Sequence, residues 1–493
     1  MTMKATILAG VLCLPLLAGT ALAVETGKLS LADAAKLGDR DALRSLLNSR
    51  AKEDIAGAEG TAALIWAASH NDLEMADLLL RAGAAPKASN EYGATALYAA
   101  AANSDPAMTV KLLAAGADAN ARLFSGETPL MEAARQGNLA NVRALLSGGA
   151  DPNARERNGG QTALMWAISQ HHSAITEELV RHKADVNARS KNGFTVLMFA
   201  AQGDVESARI LLAAGADPNA AVPGWLGTPL IIASTMGRTD VVAALLDNGA
   251  DPNFVDANGF TALHAAVRDS DYGADRALRT TSVATVRVLL AHGANPNIRL
   301  RQEKPSVKAV NEISFQGATP LALAAEVNNL DAIKVLVEGG ADPRIPTEQG
   351  TTPLTLAAGA GTDVQRARSL EERTTAVETA RFLVEQGVDV NAAGQFGWTA
   401  LHAASYQGLN DVIEFLAGKG AKLDAMDKLG QTPLSISLSV LTKDAGARRL
   451  QIPRRYRRDT AELLLKLGAT PLNKSGVVVV LQRNGDLATG VGE

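Results

Sequence analysis

The chain has 493 residues, of which 47% are apolar, 4% aromatic and 20% charged, and its net charge is -4. That is enough apolar material for a packed core, and it excludes the polar, highly charged profile of a disordered chain. The slightly acidic balance argues against nucleic acid as the main partner, because phosphate binding needs a surplus of Lys and Arg.

The first segment reads as an address. Lys4 gives a basic start, an apolar stretch runs from Ala5 to about Gly19, and Ala21-Leu22-Ala23 has the small-x-small form of a cleavage site. Residues 1–23 are therefore expected to be a secretory signal peptide, since the apolar run falls short of the ~20 residues of a spanning helix. Cys13, the one cysteine, lies inside it. The chain left after cleavage would then have no disulfide, thiolate nucleophile or Cys-bound metal. The expected location is the periplasm, with the extracellular space as the other destination.

From 24 to 471 one unit recurs. Gly126-Glu127-Thr128-Pro129-Leu130 returns as Gly317-Ala318-Thr319-Pro320-Leu321, Gly350-Thr351-Thr352-Pro353-Leu354 and Gly430-Gln431-Thr432-Pro433-Leu434. Units begin near 27, 60, 93, 126, 160, 193, 226, 259, 317, 350, 397 and 430, mostly 33 apart. In the unit at 126, Thr128 suits a helix N-cap and Pro129 the first turn. Ala133-Ala134 lets a neighbouring helix come close, and Val142, Leu145 and Leu146 mark a second helix. Gly149 ends that helix, and Asp151-Pro152-Asn153 is turn chemistry. The first unit instead reads Leu29-Ser30-Leu31-Ala32-Asp33, and its second helix is polar, as a solvent-facing cap requires.

Insertions lengthen the later units near 268–282, 299–314, 359–375 and 441–459. The last is strongly basic. Between Lys443 and Asp459 it carries a local +5, including Arg448, Arg449, Arg454, Arg455, Arg457 and Arg458, a set able to clamp carboxylates or phosphates. Residues 472–493 form a tail with an apolar β-prone run at Val477–Leu481. This run is expected to be loose or to lay one strand across the final repeat.

The period of 33 and the Gly-x-Thr-Pro-Leu…Ala-Ala…Leu-Leu…Gly-Ala-Asp wording resemble the ankyrin repeat. The resemblance covers about residues 27 to 471. It implies an all-α solenoid of about twelve helix-turn-helix units with short β-hairpin-like loops, binding partners through loop tips, the residue after the lead Gly and the concave first-helix face. On that footing the candidate partner-binding residues are Tyr92, Phe124, Trp225, Phe315 and Phe396 at loop tips, with Phe194, Phe260 and Trp398 just after the lead Gly. Exposed aromatics are typical hot spots. Trp66, Trp166 and Phe199, which precede the small residues of the first helix, are read as core.

Reactive constellations are sparse. His171-His172 with Glu177 or Glu178 lacks the i, i+4 pair of a zinc helix, and there is no Gly-x-Ser-x-Gly elbow. His264 and His402 fall where the family has Thr-Pro-Leu-His, a structural position. The expectation is therefore no catalytic residue, no metal and no cofactor. The reading is an exported, non-catalytic scaffold or adaptor. The alternatives are an inhibitor or immunity-type protein that blocks an enzyme, and an envelope-associated protein held by the Arg-rich loop. The partner is expected to be another protein, of acidic character, with any membrane contact peripheral and the chain a monomer.

Overall fold

The computed structural model describes residues 29–49, 55–222, 227–267, 282–301, 314–360, 369–438, 441–442, 457–471, 477–478, 481–483 and 486–488. By compactness the chain divides into two units, Met1–Val222 with Asp247–Gly249, and Pro223–Leu246 with Ala250–Glu493. Each is a stack of antiparallel helix pairs.

In the first unit the pairs are α1 (Leu31–Leu37) with α2 (Arg40–Ser49), α3 (Ala58–Ser69) with α4 (Leu73–Ala82), and α5 (Ala96–Ala101) with α6 (Ala107–Ala114). They continue with α7 (Pro129–Gln136) and α8 (Leu139–Ser147), α9 (Ala163–Ser169) and α10 (Ser173–Arg181), and α11 (Val196–Ala200) and α12 (Val205–Ala213). In the second unit they are α13 (Pro229–Thr235) with α14 (Thr239–Asp247), α15 (Ala262–Val267) with α16 (Ser282–Ala291), and α17 (Pro320–Glu326) with α18 (Leu330–Glu338). The last three are α19 (Pro353–Ala357) with α20 (Leu370–Glu385), α21 (Ala400–Gln407) with α22 (Asn410–Gly418), and α23 (Pro433–Ser437) with α24 (Arg458–Leu467). Within each unit every first helix packs on the next first helix, and second helices stack likewise from α2 to α12 and from α16 to α24.

The local chemistry explains the pairs. Thr95, Thr128 and Thr162 each accept the backbone N–H three residues on, closing the N-terminus of a first helix. Leu130, Ala133 and Ala134 of α7 are buried, as are Val142 and Leu145 of α8, so each thin layer buries its apolar face only against its neighbours. The second helix then turns at Gly149, whose φ of 87° is left-handed. Gly126 has a second reason to lack a side chain: a Cβ there would lie 2.9 Å from the backbone nitrogen of Arg157 in the neighbouring finger. The second repeat departs from this plan. Gly60 lies inside α3 rather than before it, and the Thr61 hydroxyl donates back to the Gly57 carbonyl at 2.9 Å instead of capping.

The Asp-x-Asn turn does more than turn the chain. Its Asn reaches into the following repeat. Asn120 donates to the Gly149 carbonyl at 2.9 Å and accepts the Asp151 amide at 2.7 Å. Asn153 and Asn187 repeat this clasp in the first unit, and Asn253, Asn297 and Asn391 in the second. Other positions differ, Lys87 standing in the Asn register of the second repeat. Arg344 replaces Asn and binds its own Asp342 through Nε at 2.9 Å and Nη2 at 3.1 Å. Asp424 instead accepts both the amide and the hydroxyl of Thr470, at 2.9 and 2.7 Å.

Of the insertions, 268–281, 302–313, 361–368, 443–450 and 451–456 lie outside the described residues. Residues 370–375 belong to α20, which at 16 residues is longer than the other second helices because the added segment extends it by helical turns. Strand β1 (Leu441–Thr442) pairs antiparallel with β2 (Val477–Val478), and β3 (Leu481–Arg483) with β4 (Asp486–Ala488). The tail therefore returns to the insertion of the last repeat.

Candidate functional site

Between a second helix and the next first helix, each repeat projects a short finger. Ser89 bridges Thr95 and Arg189 bridges Thr195 in antiparallel fashion, so these fingers are minimal hairpins. Among the described residues, a backbone bond ties several fingers to the next. In the first unit Phe124 N donates to Tyr92 O at 3.1 Å, Arg157 N to Ser125 O at 2.7 Å, and Lys191 N to Gly159 O at 2.7 Å. In the second unit Glu348 N donates to Gln316 O at 2.8 Å and Lys428 N to Phe396 O at 2.9 Å.

The aromatic candidates divide by what lies beneath them. Tyr92, Phe124 and Phe396 expose 41%, 67% and 42% of their surface at finger tips. Phe194 and Trp398 are half-buried. Phe194 tilts against Phe199 with ring centroids 6.2 Å apart. Trp398 lies over His402 and edge-on to Tyr406, and its indole N–H donates to Asp427 at 3.2 Å. Phe260 and Phe315 are corrected by the structure: they retain only 4% and 3% exposure. Phe260 stacks on His264 at 5.6 Å and closes the core beneath the finger, so neither ring is offered to a partner. Trp225 lies outside the described residues.

The basic loop is only partly described. Arg448, Arg449, Arg454 and Arg455 lie outside the described residues. Arg457 and Arg458 each have a partner within the fold. Arg457 donates from Nε to the Tyr406 carbonyl at 2.7 Å and from its amide to Ser437 at 2.8 Å, tying α24 to the preceding repeats. Arg458 pairs with Glu462 one turn on, at 2.7 Å.

The first-helix face carries residues assigned to the core by sequence. Trp66, Trp166 and Phe199 are half-buried, not buried. They share one register, six residues after the lead Gly, whose side chains face along the stack instead of into it. A cation from the preceding repeat lies over each Trp: Lys36 Nζ is 5.5 Å from the Trp66 ring centre, and the Arg135 guanidinium 5.7 Å from that of Trp166. Such contacts are worth about 0.5–1 kcal/mol when exposed. Arg135 is oriented by Glu132, a buried carboxylate that also receives the Tyr98 hydroxyl at 3.2 Å and Gln136 at 2.8 Å. Burial, with the charges of Glu132 and Glu127 beside it, holds the Tyr98 hydroxyl protonated, far above the ordinary tyrosine range. The sequence signal was the shared register of Trp66 and Trp166 with a Lys or Arg thirty-odd residues before each.

The histidines serve the fold. His264 and His402 are fully buried, and each accepts the amide of its own N-cap Thr through Nδ1 at 3.2 Å. His182 and His292 close second helices by bonding the carbonyls of Glu178 and Val288 at 3.0 and 2.8 Å. His172 reaches the Arg135 carbonyl at 3.3 Å, so it faces the neighbouring repeat and not His171. Among the described residues no group of three or more His, Cys, Asp or Glu side chains converges on a point, and no helix is long and apolar enough to cross a membrane. An open groove of about 400 Å³ on α16 and α18 is lined by charges that include the Arg287–Glu338 pair at 3.4 Å.

Tandem helix pairs joined by fingers and clasped through a recurring Asn define a helical-repeat protein. A family model of ankyrin repeats, in blocks of three copies, matches residues 31–123, 64–156, 130–222, 224–300, 284–367 and 371–474, and the chain belongs to that family. Ankyrin repeats generally mediate protein–protein interaction, and the fold is typically a non-catalytic scaffold. The chain is similar to Ankyrin repeat and SOCS box protein 16 of Homo sapiens, at 29% identity over 245 residues, 43% of this chain and 48% of that protein. It is also similar to Ankyrin repeat and SOCS box protein 3 of Bos taurus, at 34% over 207 residues, 42% of this chain and 33% of that protein. The match thus spans half or less of the length of these relatives. Among solved structures, the human ASB11 ankyrin repeat domain aligns with 25% identity over 47% of this chain and 98% of that one, at a TM-score of 0.40.

Proposed function

We propose that the chain is an exported, non-catalytic scaffold or adaptor that holds a partner protein along its fingers and first-helix face. The observation that carries this reading is the exposure of Tyr92, Phe124 and Phe396 on loops whose backbones are already tied to their neighbours. The fold does not need these rings covered. Rigid aromatics on fixed loops give up little entropy on binding. Two of the similar proteins are named for ankyrin repeats joined to a second module, which agrees with repeats that do the holding. Export rests on Lys4, the apolar run and Ala21-Leu22-Ala23.

The test is photocrosslinking from position 91, exposed beside the Tyr92 ring, in the native cell, with mass-spectrometric identification of the captured protein. Tyr92→Ala combined with Phe124→Ala should cut capture about tenfold or more with the thermal midpoint unchanged, because neither ring is in the core. Trp398 is unsuitable for this purpose, since it packs on Tyr406 and Ile436 and its loss would disturb the fold. Undiminished capture by the double variant overturns the finger reading. An isolated protein that still begins at Met1 overturns export.

A further inference from the structure

We propose that the finger edge of the first unit, from Phe124 to Lys191, is a docking strip for an extended acidic segment of the partner protein. This rests on the protein-binding reading above and adds the chemistry of what is bound. Three arginines occupy one register, each closing an Asp-x-Asn-Ala-Arg turn: Arg122, Arg155 and Arg189. All are exposed. Each donates to a carbonyl of the following finger: Arg122 to Arg155 O at 3.1 Å, Arg155 to Arg189 O at 2.5 Å, and Arg189 to Ala221 O at 3.1 Å, Arg189 also donating to Gly193 O of its own finger at 3.1 Å. A guanidinium has five N–H donors, so these bonds fix the orientation of the group and leave most donors for a ligand. Arg157 and Lys191 are exposed beside them, with the Lys191 ammonium on the Arg157 carbonyl. Among the described residues none of the five cations is in an ion pair with a carboxylate.

The carboxylates of the same fingers are engaged by the backbone or by Tyr98. Asp118, Asp151 and Asp185 accept the amides of Asn120, Asn153 and Asn187 at 2.9 Å. Glu156 is buried and takes the amides of Gly159 and Gln161 at 2.7 and 2.9 Å, and Glu127 receives the Tyr98 hydroxyl at 2.9 Å. Glu156 is turned inward, whereas Asp118, Asp151 and Asp185 stay exposed on their turns; the five cations outnumber these three carboxylates, so the edge is net positive. At the other end stand the exposed rings of Phe124 and Tyr92, next to Glu91.

The spacing selects a conformation. Neighbouring helices pack about 8–10 Å apart, which sets the interval between successive arginines. A polyproline II segment has three residues per turn and rises about 3.1 Å per residue, so every third side chain returns to one face at about the same interval. A partner segment with carboxylates at every third position, and an apolar residue at the end that meets Phe124, fits the strip.

The experiment titrates the full-length protein with a fluorescent peptide of one Leu followed by four Glu-Pro-Ala triplets. The control peptide has the same composition with its Glu residues contiguous. The spaced peptide should bind about tenfold tighter, with an affinity that falls as salt rises. Arg122→Gln with Arg155→Gln and Arg189→Gln should remove that preference. Because these arginines also tie fingers together, Arg157→Glu is the cleaner probe: its guanidinium has no hydrogen-bond or ion-pair partner among the described residues. It should weaken the spaced peptide several-fold at an unchanged thermal midpoint. Equal binding of the two peptides, indifference to Arg157→Glu, or tighter binding to anionic phospholipid vesicles or a single-stranded oligonucleotide overturns the proposal. If crosslinked capture from position 91 persists while the peptides fail, only the acidic-segment inference falls; if capture is lost as well, the protein-binding reading falls with it.

Discussion

At His402 one side chain serves two repeats. Nδ1 accepts the Thr399 amide at 3.2 Å, which places the ring proton on Nε2, and Nε2 donates to the Gln431 carbonyl of the next repeat at 3.2 Å. Ser435 fills the same register one repeat later and accepts the Thr432 amide at 2.8 Å, so the cap tolerates other residue types, while the bond to a carbonyl of the next repeat needs the longer His ring. Burial, ahead of any neighbouring charge, pushes the His402 pKa below its ordinary value. A proton is then taken up more readily by the unfolded chain than by the folded one. The stability contributed by the neutral ring is full above the ordinary histidine pKa, and it drains away as pH falls from there toward the folded-state value. His402→Ser should therefore show a shallower loss of stability than the parent between about pH 7 and pH 5, measured by denaturant unfolding across that window. Parallel profiles would mean that the ring does not govern the slope.

Helix α20 shows what an insertion can become. The 350 unit gained residues, and the segment at 370–375 winds into extra turns because Ser369 supplies a capping box with Glu372, at 2.8 and 3.1 Å. Ser369→Ala should cost about 1 kcal/mol and speed amide exchange over 370–375 first, with the rest of α20 still protected; uniform exchange along the helix would contradict this. Much of the element level was legible. The lead Gly, the Thr cap and the Leu-Leu pair mark most helices because each acts within its own repeat. The candidate site was less so. Phe260 and Trp398 occupy the same register after the lead Gly, yet one is sealed over His264 and the other leans on Tyr406 with its edge outward. Trp66 and Trp166 looked like core because their register is next to buried alanines, and their covers, Lys36 and Arg135, come from the repeat before. A period gives the register of a side chain but not the partner that the adjoining repeat lays against it.

At the scale of the molecule, each unit is held by contacts between neighbours only, so its stability is a chain of local interfaces. In the second unit the Asn clasp is interrupted at Arg344, which satisfies itself on Asp342; the bond to Arg344 holds that carboxyl below the usual carboxylate range. An exposed pair of this kind adds little to stability. Arg344→Asn should restore a bond to the neighbour, add about 1 kcal/mol, and raise the calorimetric midpoint of this unit by about 2–4 °C. A lowered midpoint would show the internal pair to be the better bond. Elsewhere the clasp addresses only main-chain atoms of the next repeat, a carbonyl and an amide that any residue supplies. A repeat thus makes this contact without regard to the identity of its neighbour's side chains, and a gene can duplicate, delete or reorder such repeats without re-matching this joint. Asp424 breaks that indifference. It holds Thr470 through a hydroxyl as well as an amide, so that joint reads a side chain of its successor and is less freely exchanged than the others.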